Sequence, residues 1–273
     1  MNNRVCAGII TYNPDISTIQ KTIESIAFQV EKLFICDNGS NNLSELKTLL
    51  KKNRFSVEII SLNENFGIAK ALNKMIATAK NQNFKWVLTL DQDSECPPNL
   101  IEKLMKYTSS QVAIVSPNIF YKNNEHLQSI PSATVVEKEW VITSASLTNI
   151  SAWEKINGFD DYLFIDKVDY DFCIRARKAG YKILQNNEIS LVHELGNLKI
   201  IKIFNKNIYI TNHSPFRYFY MIRNSFYLRK KLKIGNPYKD LYTKLFKIIL
   251  FEEKKFSKVR NMILGVREYS KQK

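Results

Sequence analysis

Apolar residues along this chain alternate between short solid runs and helical spacings. Residues 5–12 form a nearly continuous apolar run halted by Asn13-Pro14-Asp15, after which Ile16, Ile19, Ile23, Ile26 and Ala27 recur at the helical period. Residues 33–36 are a second run, closed by Asp37-Asn38-Gly39-Ser40, a turn whose Asn and Gly tolerate positive φ. Residues 43–50 read as a helix, 57–62 as a strand, 68–79 as a helix and 86–90 as a strand ending at Asp91-Gln92-Asp93-Ser94. Such alternation predicts βαβ units and a parallel sheet, and wholly apolar strands predict burial on both faces. Through Glu95 this is a Rossmann-like half domain, in which ligands sit beyond the carboxyl ends of the strands.

The pattern then becomes mixed. A helix is expected over 99–107, a strand over 112–115, loops over 118–139 and a strand over 141–150 that enters a helix holding Trp153 and Ile156. Gly158-Phe159-Asp160-Asp161 breaks the chain, 168–179 make a helix closed by Gly180, and 181–184 and 189–192 are short strands. From Pro215 onward the pattern is helical and cationic. Leu241, Leu245, Ile248, Ile249, Phe256, Val259, Ile263 and Val266 fall roughly on one helical face with lysines between them. That predicts an interfacial helix at anionic lipid, against the alternatives of a helix packed on its own domain or a dimer contact. No internal repeat is visible.

Composition narrows the class. With 273 residues, 45% of them hydrophobic and 24% charged, the chain can bury a real core and is not disordered, collagen-like or a disulfide scaffold. No stretch reaches the ~20 apolar residues of a spanning helix, and the start is too short in apolar residues for a signal peptide. Cys6, Cys36, Cys96 and Cys173 share no short pair spacing and are expected to be reduced, as in the cytosol. The net charge of +14 is unevenly placed: residues 1–196 hold 21 Lys and Arg against 22 Asp and Glu, and residues 197–273 hold 19 against 4. A basic tail of this kind meets nucleic acid, anionic lipid or a phosphate-bearing substrate.

The polar clusters Tyr12-Asn13, Asp37-Asn38, Asn63-Glu64-Asn65 and Asp91-Gln92-Asp93 each follow a predicted strand and so converge on one sheet edge. Singly, each is also what a turn or helix cap requires. Asp91 and Asp93 end a buried strand, and two such charges repel unless a cation lies between them. Hard oxygen donors of that kind suit Mg²⁺ or Mn²⁺ bridging to a phosphate. A second acidic stretch, from Asp160 to Asp171, alternates with Phe, Leu and Ile, a setting for a carboxylate general base. Within it Asp160, Asp161 and Asp171 read better as caps and partners of Arg175 and Arg177. His193, just past an apolar run, reads from the residues alone as structural, with a metal role open.

These motifs resemble the family 2 glycosyltransferases of the GT-A fold, nearest the rhamnosyltransferase-like branch. The likeness rests on Ile10-Thr11-Tyr12-Asn13-Pro14, Asp37-Asn38-Gly39-Ser40, Asn63 to Ala69 with Asn73, and Leu90-Asp91-Gln92-Asp93-Ser94. It continues through Gly158-Phe159-Asp160-Asp161, Phe164 to Arg175, Gly180-Tyr181, His193-Glu194-Leu195-Gly196 and Arg217 to Asn224. The resemblance implies an α/β domain over 1–214 with a mixed Rossmann-like central sheet and flanking helices. A basic helical extension over 215–273 would follow it.

The resemblance also implies roles. Thr11, Tyr12, Asn13, Asp37, Asn65, Gly67, Asn73 and Asp91 would bind the nucleotide, with Asp37 accepting the imide N–H of uracil or thymine. Asp93 and His193, with Asp91 possible, would hold Mn²⁺ or Mg²⁺. Asp169 matches the catalytic base, but the first acid of the usual acidic pair is Val168 here, so Asp166 competes for the part. Arg217, Tyr220 and Arg223 would meet the acceptor or its phosphate. The implied activity is an inverting, metal-dependent transfer of a sugar, rhamnose from dTDP-rhamnose or a hexose from UDP. The acceptor would be a cell-surface glycan or a lipid-linked oligosaccharide. The place would be the cytoplasmic face of the membrane, with a possible homodimer through the C-terminal helices. A nucleic-acid-binding tail is the rival class, but it leaves the front carboxylates unexplained, because without a metal they repel phosphate.

Overall fold

The computed structural model describes residues 4–52, 56–121, 133–193, 199–203 and 206–271, with the side chains of residues 193, 203 and 206 left aside. The chain divides into two compact units, one of residues 1–162 and 168–193, the other of residues 163–167 and 194–273. The division after 193, with an excursion at 163–167, differs from the expected boundary after 214. The difference has a chain-level cause: a hairpin precedes the helices and belongs with them.

In the first unit the elements are β1 (Val5–Thr11), α1 (Ile16–Ile26), β2 (Lys32–Asp37), α2 (Leu43–Lys52), β3 (Val57–Ser61), α3 (Ile68–Asn81) and β4 (Trp86–Asp91). These are the βαβ units the pattern predicts. Then come α4 (Leu100–Met105), β5 (Val112–Tyr121), β6 (Val135–Glu137), β7 (Ser146–Asn149), α5 (Ile150–Lys155), α6 (Val168–Lys178) and β8 (Lys182–His193). They form one eight-stranded sheet in the order β3-β2-β1-β4-β7-β5-β8-β6, mixed because β7 and β6 run antiparallel to their neighbours.

Three expectations change here. The strand inside 141–150 is only β7; the stretch read as loops contains the end of β5 and all of β6. The two short strands are one, β8, because a bulge opposite Pro117 and Asn118 absorbs the polar residues between them. Four apolar-flanked polar residues hid the continuity.

Burial explains the sheet. Val5, Cys6, Ala7 and Ile9 of β1 and Leu33, Phe34, Ile35 and Cys36 of β2 are buried, and α1 and α4 cover one face with Ile19, Ile23, Ile26, Leu100 and Leu104. Asp15 caps α1, its carboxylate taking the Thr18 N–H at 2.8 Å. All four cysteines are free and buried, and burial pushes their thiols up, to about 12 for Cys36, Cys96 and Cys173.

The second unit holds the hairpin β9 (Lys199–Ile203) and β10 (Lys206–Ile210), then α7 (Pro215–Leu232), α8 (Pro237–Phe251) and α9 (Lys255–Ser270). The hairpin was not legible from the pattern. No described helix is long and apolar enough to cross a membrane. The stretch 241–266 is two helices, α8 and α9, rather than one amphipathic helix, and its predicted face is split. Leu241, Leu245, Ile248, Val259 and Val266 pack with Tyr218, Ile222, Phe226 and Met262 in a private core, whereas Ile249, Phe256 and Ile263 are exposed.

Between α8 and α9 the chain turns at Glu252–Lys254, where Glu252 and Lys258 form a buried ion pair at 2.8 Å. The Tyr218 hydroxyl donates to Glu252 at 2.6 Å, and burial together with that carboxylate raises the Tyr218 phenol.

Gly265 marks the closest approach of α9 to α7: a Cβ there would lie 2.5 Å from the Phe219 carbonyl oxygen. In a helix Gly→Ala gains about 1 kcal/mol of propensity, but forcing an atom against backbone costs about 1–3 kcal/mol. Gly265→Ala is therefore expected to lower Tm by roughly 2–4 °C. A thermal melt showing a rise instead would mean that α9 can retreat from α7 without loss.

Candidate active site

The parallel register sets the site. Thr11 pairs with Asp37, Asp37 with Ser61, and Ile10 with Asp91, so β3, β2, β1 and β4 end level on one edge. The four polar clusters predicted for that edge are there.

Side chains tie the loops together. Thr11 and Asp37 are fully buried, with the Thr11 hydroxyl donating to one Asp37 oxygen at 3.1 Å and the Ser40 N–H to the other at 3.0 Å. Asn13, at φ 46°, receives the Asn41 N–H on its side chain and donates its own N–H to the Ser40 hydroxyl, both at 2.8 Å. The Tyr12 N–H donates to Gln92 Oε1 at 2.9 Å, joining the end of β1 to the turn after β4. Asn38 Nδ2 donates to Asn65 Oδ1 at 3.0 Å and to the Gly67 carbonyl at 3.2 Å, and its Oδ1 accepts the Phe66 N–H. Gly39 sits at φ 83° with its Cα against the Glu64 backbone, where a Cβ would lie 2.6 Å from a carbonyl carbon. Only glycine fits that turn.

Two of the residues expected to contact the nucleotide are bonded within the protein. Asp37 is buried and holds two loops together, each of its oxygens accepting one hydrogen bond. Asn73 on α3 is saturated: its amide donates to the Phe159 carbonyl at 2.8 Å and to Asp161 at 2.7 Å. Its oxygen accepts from Trp153 Nε1 at 2.9 Å and the Phe159 N–H at 2.8 Å. All four of its hydrogen-bonding positions are filled, leaving none for a ribose. Open at the edge are Tyr12, 46% exposed, and Asn13, with Asn65 half-buried beside the buried Gly67.

Asp91, the last residue of β4, is half-buried, and Asp93, two residues on, is exposed. The turn between them is pinned by Ser94, whose buried hydroxyl meets that of Ser144 at 2.6 Å. Two carboxylates at a solvent-facing turn fit a hard divalent cation, which binds through one or two carboxylates and keeps its other positions for water and phosphate. His193 ends β8, opposite Tyr121 of β5, and its side chain lies outside the described residues. Among the described residues no three His, Cys, Asp or Glu side chains cluster as a closed metal cage.

The acidic stretch separates into distinct duties. Asp171 is buried and binds Arg175 at 2.7 Å, and Arg175 also donates to the Ile156 and Gly158 carbonyls. Asp160 accepts the Tyr162 N–H. Asp169 stands half-buried in the first turn of α6, in the same unit as Asp91 and Asp93, its Oδ1 accepting the Tyr170 N–H at 2.8 Å.

Asp166 belongs to the other unit. Both of its oxygens lie 3.1–3.2 Å from the Arg217 guanidinium, and Asn224 Nδ2 holds the Ile165 and Asp166 carbonyls at 2.8 Å. This carboxylate positions a loop. Arg223 is buried, gripping Asn224 Oδ1 and lying 4.7 Å from the Tyr220 ring, which stacks on Phe164. Arg223 is thus part of the helical packing, the half-buried Tyr220 lies against it, and Arg217 is tied to Asp166.

The profile described as "Glycosyl transferase family 2" matches residues 6–172, from the start of β1 into α6. The chain belongs to glycosyl transferase family 2. It is 29% identical over 248 residues to the dTDP-rhamnosyl transferase RfbF of Shigella flexneri, covering 85% of this chain and 81% of that one. Among solved structures this glycosyltransferase resembles the mannosyltransferase PcManGT of Pyrobaculum calidifontis in complex with GDP-Man and Mn²⁺. The TM-score there is 0.61 at 13% identity, over 99% of this chain and 76% of that one. It also resembles S. aureus TarS 1–349 in complex with UDP-GlcNAc, with a TM-score of 0.58 at 13% identity over 98% and 73% of the two chains. These neighbours establish the GT-A fold.

Sequence reasoning missed Asn38, Ser40 and Gln92 as the residues that tie the site, reading them as turn formers. Their signal was only position, next to the residues it did select.

Because Asn73 anchors 158–161, Asn73→Ala is expected to destabilise the glycosyltransferase by about 1–3 kcal/mol, leaving the Phe159 N–H and the Trp153 indole N–H without partners. The check is a urea melt beside nucleotide titration of the folded protein. Weakened nucleotide binding with unchanged stability would return Asn73 to the nucleotide pocket.

Proposed function

We propose that this glycosyltransferase moves rhamnose from a dTDP-linked donor to a hydroxyl of a surface glycan or lipid-linked oligosaccharide, inverting the anomeric centre. The observation carrying the donor is the 29% identity, over most of both chains, to a dTDP-rhamnosyl transferase. A UDP-hexose donor is the second reading, supported by the fold shared with TarS, whose solved complex holds UDP-GlcNAc.

In this reading the base and ribose lie over Tyr12, Asn13 and Asn65, with the buried Thr11, Asp37 and Gly67 holding that surface from behind. The diphosphate lies beside Asp91 and Asp93. When bound there, with His193 as a further ligand, Mn²⁺ or Mg²⁺ supplies positive charge that stabilises the departing nucleoside diphosphate. Asp169 takes the acceptor hydroxyl proton as its oxygen bonds to the anomeric carbon. The bond from that carbon to the diphosphate oxygen breaks on the opposite face. One displacement needs no covalent nucleophile on the protein.

Asp169→Asn is expected to lower kcat by about 10²–10⁴ while nucleotide still raises Tm, and Asp166→Asn is expected to keep turnover within a few fold. Thermal shift with dTDP, UDP and GDP, with and without Mn²⁺, reads the donor: dTDP with metal gives the largest shift. Full turnover in Asp169→Asn, or no shift with any nucleotide, defeats the assignment.

The same protein is proposed to attach to an anionic membrane surface on the cytoplasmic side. Tyr238, Tyr242, Phe246, Ile249 and Leu250 recur at helical spacing along α8 and are all more than half exposed, in the segment that carries the whole positive excess. Co-sedimentation with phosphatidylglycerol vesicles, but not with phosphatidylcholine vesicles, is the expected outcome, and Phe246→Asp with Leu250→Asp should abolish it. Light scattering that finds a dimer dispersed by the same pair of changes would make this face a subunit contact instead.

A further inference from the structure

Across the sheet from β1–β3, the far half of β5, Gln185 of β8 and the chain leading into β7 line a pocket of about 180 Å³. Ser116, Asn118, Lys138, Trp140, Ile142 and Gln185 are among its walls. We propose that this pocket seats the sugar ring of the acceptor, a pyranose whose apolar face lies on Trp140. The proposal rests on the glycosyltransferase reading and names the substrate chemistry at a site that reading leaves open.

Placement is the first argument. β5 and β4 both run antiparallel to β7, so the far half of β5 reaches the same edge as Asp91. The turn following Trp140 is fastened to that edge, since the Thr89 hydroxyl donates to the Thr143 and Ser146 carbonyls at 2.6 and 3.1 Å. From the other side, Tyr170 meets the Trp140 ring edge-on, centroids 6.0 Å apart, and Cys173 Sγ reaches the Val141 carbonyl. Tyr170 directly follows Asp169. A general base must lie within hydrogen-bond reach of the hydroxyl it serves, so the acceptor belongs beside α6.

Chemistry is the second argument. Trp140 is 46% exposed although α6 holds it in place, an arrangement that costs hydration and gives the fold little. A pyranose carries C–H bonds of partial positive charge on one face, which suit the negative face of an indole. Its hydroxyls point outward round the rim and need polar partners. Gln185 donates to Asn118 at 3.3 Å and to Asn187 at 2.7 Å, which fixes its amide; its Oε1 and the Trp140 indole N–H have no partner among the described residues. A fixed acceptor and a fixed donor thus stand beside an aromatic platform.

Size is the third. The volume corresponds to about six waters at ~30 Å³ each, room for one ring and well short of a nucleotide.

The test uses the full chain with dTDP and Mn²⁺ present and methyl glycosides of glucose, galactose, rhamnose and N-acetylglucosamine as probes, read by saturation-transfer NMR. At least one probe is expected to receive saturation on the C–H protons of one ring face. Trp140→Ala should weaken it about tenfold, Trp140→Phe should retain most of it, and Gln185→Ala should weaken it about threefold. The nucleotide-induced Tm shift, expected unchanged in all three variants, shows that each is folded and reads the donor site separately. Should Trp140→Ala fold poorly, the Trp140→Phe and Gln185→Ala pair carries the comparison. Saturation that is absent in the wild type, or unchanged in Trp140→Ala, overturns the subsite while a nucleotide shift leaves the transferase reading standing. Loss of the nucleotide shift in the wild type would instead defeat the transferase reading itself.

Discussion

The structure depends on one constraint: β1 is hydrogen-bonded on both sides and buried on both faces, so its interior admits no charge. Val5, Cys6, Ala7 and Ile9 are all buried, and an unpaired carboxylate among them would cost several kcal/mol. The polar chemistry is thereby driven to the strand ends. Because β2, β1 and β4 are parallel and in level register, Asp37, Thr11 and Asp91 end their strands on the same edge. A site of this kind is a by-product of making a dry sheet and then ending it.

What turns that edge into a defined surface is a set of amides. Asn13, Asn38, Asn73 and Gln92 bond backbone groups of other loops, so that four separate turns behave as one surface. Amides suit the task because they donate and accept at once and carry no charge to be desolvated. Loops fixed before ligand arrives lose less freedom on binding, which favours affinity and alignment. The same economy operates at Asp171 and Arg175, where a buried pair closes the 156–158 turn beneath α6 and sets the direction in which Asp169 begins that helix.

The helical unit shows the limit of reading charge from sequence. Glu252-Glu253-Lys254-Lys255 looks like a solvated run, yet Glu252 and Lys258 are buried together beneath Tyr218. Period alone grouped Ile249 with Ile248 on one face, whereas packing within the helical unit buries Ile248 and leaves Ile249, about 100° round α8, half exposed. Likewise Arg223 reads as a phosphate ligand in a basic helix, and only its burial beside Asn224 and Tyr220 reveals a packing role.

The sequence by itself determined the front half: solid apolar runs alternating with helical spacings admit little except a parallel sheet, and turn residues after each run mark where chemistry can sit. It also determined which residue types stand there, including Asp91, Asp93 and Asp169, because strand ends and first helical turns are local features. Only tertiary structure decided which of these polar groups remain open. Asp37 is held by Thr11, 26 residues back, Asn73 is saturated by partners 80 to 88 residues on, and Asp166 is bound by a guanidinium 51 residues on. Trp140 was likewise silent in the sequence, since its role depends on Tyr170 meeting it across the fold. Local pattern reports a residue's preference, but a hydrogen bond has two ends, and the second end is placed by folding.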